Sequence, residues 1–306
     1  MKNIITTQAV TKKYGKQTAL HNVSIHVRPG EVYGLVGKNG AGKSTLFRVI
    51  MGLAKSNDGE VTIYDESSVE NLTEAQKNIG FMFGAQYFSY LNAKENLNYT
   101  CKIKGISDKK EVDRVLQLVE LDKVQKKVKS FSMGMKQRLN IANALIGNPD
   151  LIIMDEPING LDPQGIASFR KLVQKMNREQ GTTFMLSSHI LGELGQLATR
   201  FGFIHDGELL KEVDRETLLG KIEDQVIIGV DQPEKAAYLL ENNFDSLNYT
   251  VNGDKELVLT NHIEETAQMA KVLIEGGLAL HKLIPHQQTL EDYYLALIHQ
   301  GGQDNV

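Results

Sequence analysis

Apolar residues change their spacing several times along the chain. From residue 2 to 36 they alternate or bunch in short runs, and "IITTQAV", "ALHNVSIHV" and "EVYGLVG" read as strands joined by turns at "KYGK" and "RPGE". After "GKNGAGKST" the period becomes helical, with Leu46, Val49, Ile50 and Leu53 on one face. "GEVTIY" and "NIGFMF" return to short strands, and a helical stretch is expected from about 91 to 148. Within it Ser107 is placed as the cap of a helix whose apolar face is Val112, Val115, Leu116 and Val119. Leu139, Ala142 and Leu145 form the face of a later helix. "LIIM" (151–154) is a short all-apolar run, as in a strand buried on both faces, and "TTFMLSS" (182–188) reads as a second buried strand.

Between those two strands, Asp162-Pro163 reads as a cap followed by proline at the first helical position, with Ile166, Phe169, Leu172, Val173 and Met176 as the buried stripe. A helix through Leu191, Leu194 and Leu197 follows, and then a hairpin turning at Asp206-Gly207. Beyond residue 220 the order is βαββαβ with a last helix, a small α+β unit whose own hairpin turns at Asn252-Gly253-Asp254. The tail "GGQDNV" reads as frayed.

A chain of 306 residues accommodates one large α/β domain and one small one, each with its own core. A net charge of −4 gives no reason to expect nucleic acid or an anionic membrane as partner. The single cysteine, Cys101, rules out a disulfide framework and reads as a packing residue on a helix. No signal sequence is visible at the N-terminus, and no apolar run approaches the ~18 residues of a membrane span.

The chemistry lies at the strand-to-helix junctions. Gly37 to Ser44 fits G-x-x-x-x-G-K-[ST] between a strand and a helix, the setting in which glycines turn backbone N–H groups toward phosphate oxygens. Lys43 would reach the β and γ phosphates, and Ser44 would hold Mg²⁺. Asp155 leaves the end of a buried strand, where α/β sheets place ligands, and is the expected second holder of the metal. Glu156 is the candidate general base for an attacking water. His189 follows the next buried strand, positioned to meet a γ-phosphate.

"GKNGAGKST", "SMGMKQR", "LIIMDEPINGLD" and "SSH", in this order, resemble the nucleotide-binding subunits of ABC transporters over residues 1 to about 215. The resemblance implies a P-loop NTPase core (1–218) built from a β-rich subdomain, a mixed or parallel sheet and a helical subdomain (about 85–148), followed by a small α+β accessory domain (219–306). It implies that Tyr14 stacks on adenine and that Gly37, Asn39, Gly40, Ala41, Gly42, Lys43, Ser44 and Thr45 line the nucleotide in the Walker A loop. Ser132 and Gly134 belong to the signature loop, and Gly160-Leu161-Asp162 is the loop at a dimer interface. ATP and Mg²⁺ are the implied ligands, a homodimer around two ATP molecules the implied working state, and an integral membrane permease the implied partner. The chain is then cytoplasmic and peripheral on the inner face of the membrane. Wording around the motifs further resembles subunits exporting bacitracin-like and lantibiotic peptides, which implies export of a peptide antibiotic, drug or similar substrate.

The chain departs from the family pattern in three places. Met133-Gly134-Met135 stands where two adjacent glycines and a glutamine are usual. The usual Q-loop glutamine position falls near Phe83, so Gln86 is the nearest candidate for contact with ATP and metal; as an alternative it is an ordinary loop residue. Lys38 and Ile158 replace a usual proline and a usual threonine or phenylalanine. Lys123, Lys126, Lys127 and Lys129 read as a solvated face. Met82, Phe83, Tyr87, Phe88 and Tyr90 read as a partner groove, with core packing an equal alternative for Phe81 and Phe83. Two rival functions follow from other classes: a soluble ABC-type ATPase acting on chromosomes or ribosomes, and a mainly regulatory subunit whose C-terminal unit binds a small ligand or braces a dimer. The first is disfavoured by a single cassette without a long coiled-coil insertion.

Overall fold

The computed structural model describes residues 2–66, 72, 75–76, 78–108, 110–219, 224–252, 256–286 and 289–301. The expected turn at Gly253-Asp254 and the tail beyond residue 301 lie outside them. The chain divides into two compact units, Met1–Arg215 and Glu216–His299.

The first unit opens with an antiparallel sheet. Its central strand β1 (Ile5–Tyr14) pairs with β2 (Gln17–Val23), β3 (His26–Val27) and β5 (Asp58–Ile63). The second sheet has the order β10-β9-β4-β8-β7-β6, made of β4 (Val32–Val36), β6 (Gly80–Met82), β7 (Leu151–Met154), β8 (Thr183–Ser188), β9 (Arg200–His205) and β10 (Glu208–Asp214). From β9 to β6 every pairing is parallel, and β4, β7 and β8 are buried along their whole length, as central strands covered on both faces are. Only β10 runs antiparallel. It returns from β9 through Asp206-Gly207, both at positive φ, the pairing that fits the twist of a two-residue hairpin.

Helices cross between these strands. In α1 (Lys43–Ile50) Leu46, Val49 and Ile50 are buried as expected. Leu53 is not: Gly52, at φ 67°, turns the chain out of the helix and leaves Leu53 59% exposed. The stretch from 91 to 148 is not continuously helical either. It holds α2 (Ala93–Ile103), α3 (Glu111–Leu118) and α4 (Met133–Leu145), with residues 119–127 outside any helix after Glu120 takes a left-handed φ of 58°. Ser107 does not cap α3. The neighbouring Asp108 takes the local turn instead, its carboxylate accepting from Lys110 N at 2.9 Å, and the helix starts later. Val112, Val115, Leu116 and Val119 are all buried. So is Cys101 on α2, where burial pushes its thiol above the usual range.

Asp162 caps α5 (Pro163–Gln180) by accepting from Gly165 N at 2.9 Å, and Gly181 ends that helix in the left-handed conformation. The helix after β8 is shorter than its leucine spacing suggests. α6 (Leu191–Gly195) stops before Leu197, which is buried beyond its last turn, and α7 (Arg215–Leu219) follows β10.

The second unit runs β11 (Gln225–Val230), α8 (Pro233–Glu241), β12 (Tyr249–Asn252), β13 (Glu256–Leu259), α9 (Thr266–Glu275), β14 (Leu280–His286) and α10 (Leu290–Gly301). Its sheet order is β12-β13-β11-β14 with every pair antiparallel, the split βαβ arrangement of ferredoxin-like units. Val226, Ile228, Leu240, Leu257, Leu259 and Leu273 form a core of its own.

Candidate functional site

The site assembles at the C-terminal ends of β4, β7 and β8. β4 delivers the glycine loop directly into α1, and two of its glycines have no substitute. Gly42, at φ 108°, caps α1, and a Cβ there would lie 2.8 Å from Ala19 O; at Gly37 it would lie 2.5 Å from Ile204 O. The loop also rests on the β9–β10 hairpin, whose Gly207 N donates to Ala41 O at 3.0 Å. Asn39 and Gly40 lie exposed at the loop tip, and Thr45 stands half-buried in the first turn of α1.

Lys43 is 5% exposed, and its ammonium donates to Gly37 O at 2.6 Å and Lys38 O at 3.1 Å. A cation this deep requires partners, and the loop's own carbonyls supply them. The third is Glu156, whose Oε1 lies 3.4 Å from the Lys43 Nζ. The other carboxylate oxygen of Glu156 faces His189, at 2.8 Å from its Nδ1. Glu156 N donates to Ser187 Oγ at 2.9 Å, and Glu156 itself sits at φ 51°. A left-handed conformation at a non-glycine residue costs on the order of 1–3 kcal/mol and tends to cluster at functional sites.

Asp155 lies beside this trio. Its Oδ2 accepts from Ser44 Oγ at 2.5 Å and its Oδ1 from Ser187 Oγ at 2.6 Å, while its N–H donates to Met82 O at 3.0 Å. Ser44 and Asp155 thus bring two hard oxygen donors together beside the helix N-terminus, a set that suits Mg²⁺ with waters and phosphate oxygens completing its shell. Among the described residues no group of three or more His, Cys, Asp or Glu side chains could hold a metal alone.

Ser187 is a participant that the sequence reading did not single out. Its only signal was one hydroxyl among several in the strand Thr183–Ser188. Gln137 is another. From α4 its side-chain amide donates to Glu156 O at 3.1 Å and Pro157 O at 2.9 Å.

Other candidates lie away from this cluster. Tyr14, at the end of β1, is 47% exposed with the Lys12 ammonium 4.8 Å from its ring centre. Ser132 caps α4, accepting from Met135 N at 3.3 Å, and it stands exposed beside Gly134, Gly160 and Asp162 around one open cleft. The main chain of Gln86 is held by α4, its N–H donating to Asn140 Oδ1 and its carbonyl accepting from Asn143 Nδ2. No contact of Gln86 with Ser44 or Asp155 occurs among the described residues; the residue that directly follows β6 is Phe83, which packs edge-on to Phe47. Phe81 and Phe83 are half-buried against the core, whereas Phe88 at the surface meets Tyr99 edge-on and Tyr90 at a tilt. Ile158 is buried, and Lys126 leans over the Phe131 ring.

Comparison with known proteins gives this arrangement its kin. Residues 20–159 match the family model described as ABC transporter. The chain is 38% identical to the bacitracin transport ATP-binding protein of Bacillus licheniformis over 98% of its own length and 99% of that protein. It is also 38% identical to the lantibiotic transport ATP-binding protein of Streptococcus pyogenes, over 68% of this chain and 90% of that one. Among solved structures, a dimeric ATP-binding cassette in a post-hydrolysis state with ADP and Pi superposes with a TM-score of 0.64 at 29% identity, covering 69% of this chain and 98% of that one. Similarity at this level along nearly the whole of two chains means that this chain belongs to the ATP-binding proteins of the ABC transporter family, and it is an ATPase.

Proposed function

We propose that the chain energises a separate membrane-spanning permease, and that the cargo is a peptide antibiotic or a compound of that kind carried outward. The observation behind the catalytic part is the pair of adjoining clusters, Ser44–Asp155–Ser187 and Lys43–Glu156–His189, at one edge of a parallel sheet. The cargo class is supported by the likeness to the bacitracin transport ATP-binding protein, which extends through residues 219–306, beyond the 69% of the chain that the solved cassette covers. No described helix is long and apolar enough to cross a membrane, which suits a subunit held at the cytoplasmic face by a partner. The exposed rings of Phe88, Tyr90 and Tyr99 form the surface we assign to that partner.

In this reading residues 1–218 are the nucleotide-binding cassette and 219–306 an accessory domain. The backbone from Gly37 to Thr45 cradles the phosphates, and Lys43 exchanges its bonds to Gly37 O and Lys38 O for bonds to β and γ oxygens. Ser44 and Asp155 would hold Mg²⁺, which would neutralise charge on the phosphates. Glu156, released from Lys43, takes the proton of the attacking water, and His189 donates to the γ-phosphate. Tyr14 stacks on adenine. Ser132 and Gly134, at the N-terminus of α4, receive the γ-phosphate bound to a second copy, with Asp162 at the same interface. Gln86 is the remaining candidate for a contact with nucleotide and metal.

The test is Glu156→Gln in the full chain. Steady ATP hydrolysis should be lost while an ATP-bound dimer accumulates in size-exclusion chromatography; hydrolysis at the wild-type rate would remove Glu156 as the base. The cargo is tested in a bacitracin-sensitive host by expressing the chain together with a membrane permease with which it co-purifies. A raised inhibitory concentration supports peptide export, and an unchanged one refutes bacitracin as cargo.

A further inference from the structure

Helix α4 carries one side chain per turn onto the loops of the site. Met133 lies against Gly160, where an added Cβ would come within 2.7 Å of the Met133 Cγ. Four residues on, and therefore on the same face, Gln137 donates both amide hydrogens to main-chain carbonyls, those of Glu156 and Pro157. One turn further, Asn140, 5% exposed, accepts from Gln86 N, and Asn143 continues the stripe onto Gln86 O. The helix is also seated without slack. At Gly80 a Cβ would lie 2.1 Å from Ala144 O, so α4 and β6 touch backbone to backbone.

Gln137 acts at a demanding point. Glu156 is left-handed at φ 51°, and its carboxylate is aimed between Lys43 and His189. A backbone in that region persists only when its surroundings over-determine it. Ser187 fixes the N–H side of the Glu156 peptide, and Gln137 fixes the carbonyl side. The same helix begins at Ser132, which presents its N-terminus to solvent beside Gly160 and Asp162.

We propose that Gln137 is a positioning residue for Glu156, and that α4 thereby ties the anion-receiving end at Ser132 to the base of its own chain. A displacement of the helix N-terminus reaches Glu156 through one side chain with two hydrogen bonds, without crossing the sheet. The proposal rests on the reading of Glu156 as the base, and it concerns rate rather than nucleotide affinity, because Gln137 touches none of the P-loop residues among its described contacts.

The experiment compares wild-type chain with Gln137→Met, close in volume but without a donor, and Gln137→Lys, which keeps one. Steady-state ATP hydrolysis gives kcat, KM and the Hill coefficient; equilibrium binding of a fluorescent ATP analogue gives affinity; thermal unfolding reports the fold. The methionine variant should lose kcat by roughly tenfold to a hundredfold with analogue affinity unchanged, and its Hill coefficient should fall toward that of independent sites. The lysine variant should recover most of the rate. A methionine variant with wild-type kcat overturns the proposal, as does a loss of rate matched by an equal loss of affinity, which is the mark of a merely structural role. If all three proteins keep their rates while Glu156→Gln also remains active, the assignment of the base has failed; if only the Gln137 variants keep theirs, the positioning role has failed and the base stands.

Discussion

Ser44 Oγ donates to Asp155 Oδ2 at 2.5 Å, joining the first turn of α1 to the end of β7 across 111 positions of sequence. Asp155 gives its second oxygen to Ser187, so both lone-pair sides of the carboxylate are already engaged within the protein. Asp155→Asn keeps the shape and removes the charge, and the amide now presents a donor to a serine that had also been donating. The serine hydroxyl can turn to accept from the new amide, and exchanging a hydrogen bond to a charged group for a neutral one costs about 1 kcal/mol, too little to unfold a domain of this size. With Asp155 as the proposed metal holder, loss of its charge is the larger effect. ATP hydrolysis should fall by roughly a hundredfold or more, with the Mg²⁺ dependence shifted to higher concentration, while thermal unfolding stays near wild type.

The start of α3 offers a pH test away from the site. Glu111 takes a bidentate contact from Arg114 and a hydrogen bond from Gly147 N, and the Arg114 bond is the main reason its carboxyl titrates below the usual range. A depressed folded-state value means that this contribution is complete above the unfolded carboxylate range, ~4.3, and disappears as pH falls through the lower folded value. Arg114→Met should therefore destabilise the chain by about 1 kcal/mol at pH 7, discounted for the partial exposure of the pair. In urea titrations the gap between variant and wild type should close as the pH drops below 4. A gap independent of pH would assign the loss to the Arg114 bond with Leu145 O instead.

Gly80→Ala tests the seat of α4. The added methyl meets Ala144 O, a backbone atom that cannot rotate away, and its next neighbour is the Pro149 ring at 2.8 Å. Overpacking of this kind typically costs 1–3 kcal/mol, roughly, and here it also pushes α4 off β6. Unfolding should shift to lower denaturant, and hydrolysis should fall with it even though residue 80 touches no nucleotide-lining residue.

Much of the cassette was legible before its coordinates. The P-loop spacing, the all-apolar strand at 151–154 and the Asp206-Gly207 hairpin are local signals, in which backbone geometry dictates residue type. The same holds for the cap at Asp162-Pro163. What escaped was set by tertiary contact. Asp108 competes with Ser107 for the turn before α3, and no periodicity distinguishes two adjacent caps. Leu53 carries the spacing of α1 but falls beyond the glycine that ends it. Ser187 works through the Asp155 carboxylate and the Glu156 N–H, and Gln137 through the carbonyls of Glu156 and Pro157, all in a segment far away in sequence, so their identity announced nothing. The meeting of Lys43, Asp155 and Glu156 at one edge of the sheet could be anticipated; what holds Glu156 in its unusual conformation could not.

The hydrogen bond from Gly207 to Ala41 carries a consequence for how the protein is made. The glycine loop is among the first parts of the chain to be synthesised, yet its floor is the β9–β10 hairpin, and its parent strand β4 pairs only with β8 and β9. Until about residue 214 has emerged, the loop has its early neighbour at Ala19 but lacks both strands that flank β4 and the hairpin beneath Ala41, and such long-range closures are slow to form. A nascent chain therefore passes about two-thirds of its elongation with the glycine loop incompletely supported.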